Sequence, residues 1–158
     1  ILTGIGTVLV DDPSMNVRSE RFIDCARQPE RMVLDTRLQM SPQAKMLGLQ
    51  GETIILTGQN CCSQERVQLL ESKGAQVQLL PLEQKRISLA AVMPVLAQRQ
   101  YNDVLLEAGA TLTGAMLAAG LVDELIIYMA PHLMGSEARG LFNLPGLDSM
   151  AERINLTI

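Results

Sequence analysis

The chain contains 158 residues, of which 47% are hydrophobic and 19% are charged. This length suits one folded domain, and this composition excludes an intrinsically disordered protein. The net charge of -4, the aromatic content of 3% and the lack of tryptophan argue against a nucleic-acid-binding surface.

Apolar runs and helical spacings give the predicted elements in chain order. Apolar or β-branched runs predict strands at Ile1–Thr3, Arg31–Asp35, Thr53–Thr57, Gln76–Leu80, Asp103–Glu107 and Glu124–Met129. Helical spacing predicts one helix from Ser63 to a stop at Gly74, another that begins at Ser88 and contains Pro94, and a last one over Ala110–Ala119. Because strands alternate with helices, the pattern predicts an α/β fold with a largely parallel sheet and helices on both faces.

Two segments and both chain ends depart from this alternation. Asp11–Arg18 is a polar turn rich in capping residues, and Pro131–Gly146 is a long loop of the kind that is usually functional or disordered. The chain begins inside a strand-like run, and Arg153–Ile158 alternates as a strand does. We therefore expect a domain that is truncated at both ends and comes from a longer protein.

The cysteines and apolar runs bear on the cellular location. Cys25, Cys61 and Cys62 are odd in number and lack a secretory pattern, which favours a reducing cytoplasm. Ile1–Val10 lacks the charged leader and cleavage site of a signal peptide. Val104–Val122 is long enough to cross a bilayer, but a carboxylate such as Glu107 inside a span costs about 2.5–3.5 kcal/mol. A buried strand followed by a buried helix is the preferred interpretation, without a membrane partner.

The segment around Glu107 carries the clearest functional signal. Glu107 ends an apolar run, the small residues Ala108–Thr111 follow, and the predicted helix then runs to Gly120. A strand that leads into a helix through glycine and threonine exposes free backbone N–H groups, which bind phosphate. Glu107 itself would lie at the carboxyl end of a strand, where α/β sheets bind ligands. An acid beside an anion site suggests a nucleotide-type cofactor next to a polar substrate, although a structural role for Glu107 is equally expected.

Other motifs leave alternatives open. Thr3–Val8 contains a G-x-G pair, but Leu9 occupies the third glycine position of a dinucleotide fingerprint. A strand-to-helix turn in which Thr7 caps the helix or touches a ligand is therefore preferred. Asp11-Asp12-Pro13 fits a metal pair, an acid–base pair or a plain turn, and the turn is preferred because no histidine or acid cluster accompanies it. Arg18 suits either a bound phosphate or a solvated charge.

No metal site is predicted. The adjacent Cys61 and Cys62 do not form a C-x-x-C motif, and the only histidine, His132, lies far downstream. His132 is interpreted as a loop residue, and no Ser-His-acid arrangement is evident.

Several blocks of sequence resemble one known family. They occur in order over nearly the whole chain: Thr3–Pro13 followed by Val17-Arg18, Val33–Thr36, Glu107–Leu112, Leu121–Leu125 and Ala130–Gly135. Together they resemble the reductase domain of the bifunctional riboflavin-biosynthesis deaminase–reductase.

This resemblance implies a fold and a reaction. The fold is a dihydrofolate-reductase-like mixed β-sheet flanked by helices on both faces, with an antiparallel C-terminal portion, and residues 1–158 form a single reductase domain. The activity is NADPH-dependent reduction of the ribosyl group of 5-amino-6-(5-phosphoribosylamino)uracil to a ribityl chain, by a cytoplasmic homodimer. The family's zinc-dependent deaminase half, with its H-x-E and P-C-x-x-C ligands, is not present in this chain.

The resemblance also implies roles for residues of this chain. Met15, Arg18 and Glu107 match substrate positions, with Arg18 on the ribose phosphate. Asp11 lies near the nicotinamide, and either Asp11 or a bound water is the candidate for proton handling. Arg37 would meet the 2′-phosphate or be solvated. The matched cofactor positions are Thr7, Asp11, Thr36, Gly109, Ala110, Thr111, Leu112, Thr113, Gly114 and Ala115.

Two other functions stay open at this point. The chain could be a non-catalytic module of the same fold, or a related reductase that acts on a pterin. Arg18 discriminates the second of these, because a substrate without phosphate would not need it.

Overall fold

The computed structural model describes residues 1–22 and 27–157. These form two compact units, Ile1–Ala108 and Gly109–Ile158, which are described separately. Cys25 and Ile158, on which two of the expectations above depend, lie outside the described residues.

The first unit contains a four-stranded sheet in the order β1-β2-β3-β4. Its strands are β1 (Leu2–Gly4), β2 (Arg31–Leu34), β3 (Thr53–Gly58) and β4 (Ala75–Leu80). Every neighbouring pair is parallel, as predicted, and the register aligns Thr3 with Val33 and Val33 with Ile55. A short antiparallel pair, β5 (Leu82–Glu83) and β6 (Arg86–Ile87), follows.

The helices of this unit begin close to the predicted residues. They are α1 (Ile5–Asp11), α2 (Gln64–Glu71) and α3 (Leu89–Gln98), and a 3₁₀ helix, Lys45–Gly48, precedes β3. The Ser63 hydroxyl caps α2 by accepting the Arg66 N–H at 3.3 Å, and Gly74 follows in the left-handed region with a φ of 92°. Ser88 precedes α3, which continues through Pro94.

Helices cover both faces of the sheet, as predicted. On one face, Val8 of α1 and Leu70 of α2 pack in a core cluster with Val33 and Ile55. Successive strand residues point to opposite faces, so Met32 and Ile54 face the other way. Met32 and Leu96 of α3 line one cavity, which places α3 on that second face.

The predicted strand Asp103–Glu107 is reduced to one bridge at the edge of the sheet. Leu106 pairs with Leu2 in parallel, the Leu2 N–H donates to the Leu105 carbonyl at 2.8 Å, and the Glu107 N–H donates to the Leu2 carbonyl at 3.0 Å. In the part of the chain that the structure describes, no strand pairs with the outer side of this segment. A segment with a neighbour on one side only has half the hydrogen bonds of a central strand, which explains its shortness.

The second unit contains α4 (Ala110–Ala118), one residue shorter than predicted. The predicted strands Glu124–Met129 and Arg153–Ile158 are wrong for residues 119–157, which form turns, irregular structure and one 3₁₀ helix, Met150–Glu152. Tyr128 and Met129 are 93% and 88% exposed, because no described neighbour supplies the hydrogen bonds and apolar contacts of a sheet. The antiparallel C-terminal portion implied by the resemblance is therefore not formed in these residues, whereas the long loop Pro131–Gly146 is confirmed.

Candidate functional site

The carboxyl edge of the parallel sheet brings together residues that are far apart in the sequence. Glu107 follows the Leu106 bridge, Thr7 lies in the first turn of α1 directly after β1, and Thr36 follows β2. The strands before these residues are neighbours in the sheet and run in the same direction. Glu107, Thr7 and Thr36 therefore lie along one edge, the edge at which open α/β sheets bind their ligands.

Helix α1 presents two of the predicted residues on one face. Thr7 and Asp11 are one helical turn apart and lie on the same side, whereas Val8 is 4% exposed and faces the core. Thr7 is half-buried, and Asp11 is exposed. The N-cap of α1 is Gly4, without a side-chain hydrogen bond, so the alternative in which Thr7 caps the helix is wrong. A ligand contact of the Thr7 hydroxyl stays a prediction.

Asp12 has a structural role at the end of α1. Its φ of 42° is left-handed, and its N–H donates to the Val8 carbonyl at 3.0 Å, which terminates the helix. Its carboxylate accepts the Lys45 N–H at 2.9 Å and lies 3.8 Å from the Lys45 ammonium. Asp12 thus links the end of α1 to the 3₁₀ helix through hydrogen bonding and an ion pair. This structural role supports the interpretation of Asp11-Asp12-Pro13 as a plain turn. Among residues 1–22 and 27–157 no group of three or more His, Cys, Asp or Glu could hold a metal ion.

The two substrate candidates after this turn differ in exposure. Met15 is 7% exposed and its side chain packs in the core cluster, so a substrate contact at this position would come from the backbone. Arg18 is exposed and forms no ion pair with any described residue. The Gln28 amide holds the preceding residue by accepting the Val17 N–H at 3.0 Å and donating to the Val17 carbonyl at 3.2 Å. Among the residues that the structure describes, Arg18 is therefore a cation without an ion pair beside a fixed stretch of backbone, and Gln28 is a contributor that the sequence did not reveal.

The segment after β2 is tightly held. The Thr36 carbonyl accepts the Gly58 N–H at 3.1 Å and the Thr57 hydroxyl at 3.3 Å. A Cβ on Gly58 would lie 3.0 Å from that carbonyl oxygen, so glycine permits this close approach. Asp35 is 0% exposed, and burial raises the pKa of its carboxyl group, although the Met40 N–H that it accepts at 2.8 Å opposes this shift.

The N-terminus of α4 is open to an anion. Gly109 is the N-cap, and a Cβ placed on it would meet no atom within 4 Å. The Leu112 and Thr113 N–H groups donate back to the Gly109 carbonyl at 3.1 and 3.2 Å. The Ala110 and Thr111 N–H groups have no partner among the described residues, because they precede the first intrahelical bonds. Free N–H groups at the positive end of a helix fit the phosphate of a nucleotide cofactor.

Gly114, in the same predicted cofactor loop, has a packing role. A Cβ at this position would lie 2.0 Å from the Asn143 carbonyl oxygen, so only glycine lets the two backbones approach. The Asn143 N–H donates to the Ala110 carbonyl at 3.0 Å, which fixes the same contact. The stretch Gly109–Ala115 therefore combines an open N-terminal end with a side that packs inside the second unit.

The described helices are all too short or too polar to cross a membrane. The interpretation of Val104–Val122 as a buried strand followed by a buried helix is wrong in its burial, because Leu105 is 57% exposed at the sheet edge and only Gly114 and Met116 of α4 are buried.

Residues 1–158 match the family described as the RibD C-terminal domain. "Riboflavin biosynthesis protein RibD" of Escherichia coli is 39% identical over 163 residues, which cover 96% of this chain and 42% of that protein. The "2,5-diamino-6-ribosylamino-4(3H)-pyrimidinone 5′-phosphate reductase" of Methanothermobacter thermautotrophicus is 32% identical over 161 residues, which cover 100% of this chain and 71% of that enzyme. The chain thus spans about two fifths of the first relative and most of the second.

A solved structure supports the fold. Acinetobacter baumannii RibD, form 2, superimposes with a TM-score of 0.78 at 36% identity and covers 98% of this chain and 40% of that chain. The expected α/β class, with a parallel sheet flanked by helices, is confirmed by this likeness and by the strand order.

Proposed function

The chain belongs to the RibD C-terminal domain family, and we propose that it is the NADPH-dependent reductase of 5-amino-6-(5-phosphoribosylamino)uracil in riboflavin biosynthesis. The observation that carries this proposal is the match of the whole chain to most of the Methanothermobacter reductase. Because this domain makes up 71% of that relative, the reductase activity in its name is expected to belong to this domain. We extend the proposal to one reductase domain over residues 1–158.

The reaction requires little covalent work from the protein. The ring-opened ribosylamine can be written as an imine, whose carbon would accept a hydride and whose nitrogen would accept a proton. NADPH, when bound, would supply the hydride and be oxidised to NADP⁺. The residues of this chain hold the reacting carbon in place, exclude competing orientations and provide the proton.

Arg18 is the proposed ligand of the substrate phosphate. Its guanidinium is exposed and makes no ion pair within the described chain, so its donors are available. A planar fork of N–H donors suits a phosphate dianion. Glu107, at the sheet edge next to β1, would accept hydrogen bonds from the pyrimidine ring or the ribose hydroxyls.

Asp11 is the proposed source of the proton on the substrate nitrogen. Its exposed carboxyl group lies on the same face of α1 as Thr7, a proposed cofactor contact. A bound water at the same place is the alternative source of that proton.

The proposed cofactor contacts are Thr7, Thr36 and the N-terminal end of α4. The half-buried Thr36 side chain follows β2 at the carboxyl edge, where the adenosine side is proposed to bind. The free N–H groups of Ala110 and Thr111 suit the pyrophosphate. Following the family resemblance, we also propose a cytoplasmic homodimer.

A second candidate substrate follows from the name of the Methanothermobacter relative, which specifies a 2,5-diaminopyrimidinone. The two compounds differ at position 2 of the ring, where one carries an amino group and the other an oxo group. Both are ribosylamine 5′-phosphates, so Arg18 and the α4 site would serve either.

The test is NADPH oxidation by the full-length protein with each compound as acceptor and NADH as the control donor. We expect acceptor-dependent oxidation that favours NADPH and the uracil compound. A preference for the diaminopyrimidinone would move the assignment to the second candidate. Oxidation with a pterin but with neither ribosylamine would contradict the proposal, and NADPH binding without any oxidation would favour a non-catalytic module.

A further inference from the structure

The segment Thr36–Met40 follows β2 and leads towards the 3₁₀ helix Lys45–Gly48. It carries two side chains suited to a cofactor, Thr36 and Arg37. Thr36 is half-buried, and Arg37 is exposed and forms no ion pair within the described chain. Leu38 has a φ of 52°, a left-handed conformation that a leucine adopts only when its surroundings impose it. What holds this segment therefore decides where Thr36 and Arg37 lie.

Arg66 of α2 provides part of that restraint. Its Nε donates to the Leu38 carbonyl at 3.2 Å and its Nη2 donates to the Met40 carbonyl at 2.6 Å. From the other side, the buried Asp35 carboxylate accepts the Met40 N–H at 2.8 Å. The strained turn is thus held at the Leu38 and Met40 carbonyls by the Arg66 guanidinium and at the Met40 N–H by the Asp35 carboxyl group.

An arginine at position 66 suits this restraint better than a lysine would. Arg66 makes no ion pair within 4.0 Å among the described residues, and its guanidinium donates to two backbone carbonyls. Its charge also acts on the nearby Asp35 carboxyl group, whose pKa burial raises and Arg66 partly lowers. Only a guanidinium presents two donors in a rigid plane that can reach two carbonyls of one turn. A lysine would supply a single flexible ammonium group.

We propose that Arg66 is a positioning residue for cofactor recognition: β3 holds the Thr36 carbonyl, and Arg66 holds the turn after it, so that Thr36 and Arg37 together bind the 2′-phosphorylated adenosine of NADPH. This inference rests on the proposed function. Arg66 touches neither the substrate nor the reacting atoms, so its loss should weaken cofactor binding and leave the chemical step unchanged. NADH lacks the 2′-phosphate, so the loss should also reduce the preference for NADPH.

The experiment compares Arg66→Met, which keeps the apolar stem, with Arg66→Lys in the full-length protein. Arg31→Met is the matched control, because Arg31 also donates to backbone, at the Leu49 carbonyl, and to the Thr53 hydroxyl, but lies at the amino end of β2. Binding of adenosine 2′,5′-bisphosphate is measured by calorimetric titration, and KM and kcat are measured with NADPH and with NADH.

We expect Arg66→Met to bind the bisphosphate and NADPH about tenfold more weakly, with kcat within about twofold of the parent value. Arg66→Lys should be intermediate, because it restores one donor. Arg31→Met should lower the melting temperature and keep the affinity. If Arg66→Met does not fold, the bisphosphate affinity of Arg66→Lys is compared with that of the parent and of Arg31→Met. A weaker affinity in Arg66→Lys alone then supports the inference.

An Arg66 variant that is folded and binds the bisphosphate as the parent does would overturn the inference. An equal loss of affinity in Arg31→Met would also overturn it, because the effect would then be general destabilisation. Failure of the proposed function looks different: the unsubstituted protein itself would neither bind the bisphosphate nor oxidise NADPH with a ribosylamine acceptor.

Discussion

Substitution of Gly114 by alanine tests the packing of the second unit most sharply. The added Cβ would lie 2.0 Å from the Asn143 carbonyl oxygen and 2.8 Å from its carbon. Both are backbone atoms, so no side-chain rotation relieves the clash, and the backbones must separate by about 1.4 Å to reach ordinary contact. Overpacking of this kind and the loss of the Asn143 N–H to Ala110 carbonyl bond together cost about 2–4 kcal/mol of unfolding free energy.

The assay is thermal and urea unfolding of the full-length protein, with Gly109→Ala as the matched control. Gly109 has a φ of -74°, which any residue adopts, and open space around the position of a Cβ. Gly114→Ala should lower the melting temperature of the domain by about 5–15 °C. Gly109→Ala should change the unfolding free energy by less than about 1 kcal/mol. A Gly114→Ala protein as stable as the parent would refute the close approach, and an equal loss in Gly109→Ala would show that the helix start, rather than the packing, is sensitive.

Three further substitutions test the site. Arg18→Ala should raise KM for a phosphorylated substrate about 10- to 100-fold in steady-state assays and leave NADPH affinity unchanged; an unchanged KM would remove Arg18 from the phosphate site. Asp11→Asn should lower kcat about 100-fold, and full turnover with unchanged NADPH affinity would show that the proton role is wrong. Burial raises the pKa of Asp35 above its ordinary 3.8, so the folded state binds the carboxyl proton more tightly than the unfolded state does. This difference stabilises the folded protein fully below about pH 3.8, and the stabilisation is lost as the pH rises through the raised pKa. Asp35→Asn should therefore gain stability relative to the parent as pH rises through this range, which urea unfolding measures; a constant difference would contradict the shift.

The sequence predicted much of the fold because several helices and strands carry local signals, such as capping residues and glycines, at their ends. Ser63 caps the start of α2 with its side chain, and Gly74 and Gly120 follow α2 and α4 in the left-handed conformation that ends a helix. The central strand β3 is a run of β-branched and apolar residues that is buried on both faces, and β2 is buried over Arg31–Val33. The segment Glu124–Met129 has an equally strand-like composition, but a strand also needs a partner to form hydrogen bonds with. Pairing is a property of the whole sheet, which an apolar run does not encode.

The candidate site was only partly predictable for a related reason. Glu107 and the start of α4 follow from the rule that ligands bind at strand ends and helix N-termini. The burial of Met15 in the core and the packing of Gly114 on Asn143 depend on contacts between distant residues. Arg66 and Gln28 act through backbone groups far away in the sequence, and an exposed-looking charge or amide gives no local sign of such a partner.

The measurement that tests the central claim most directly is the transfer of deuterium from NADPH in which both hydrogens on the nicotinamide C4 are replaced by deuterium. The full-length protein is incubated with 5-amino-6-(5-phosphoribosylamino)uracil, and the product is analysed by mass spectrometry and NMR. We predict a ribitylamino product that carries one deuterium on the former ribosyl carbon bonded to nitrogen. A product without deuterium at that carbon, or consumption of NADPH without a ribityl product, would contradict it.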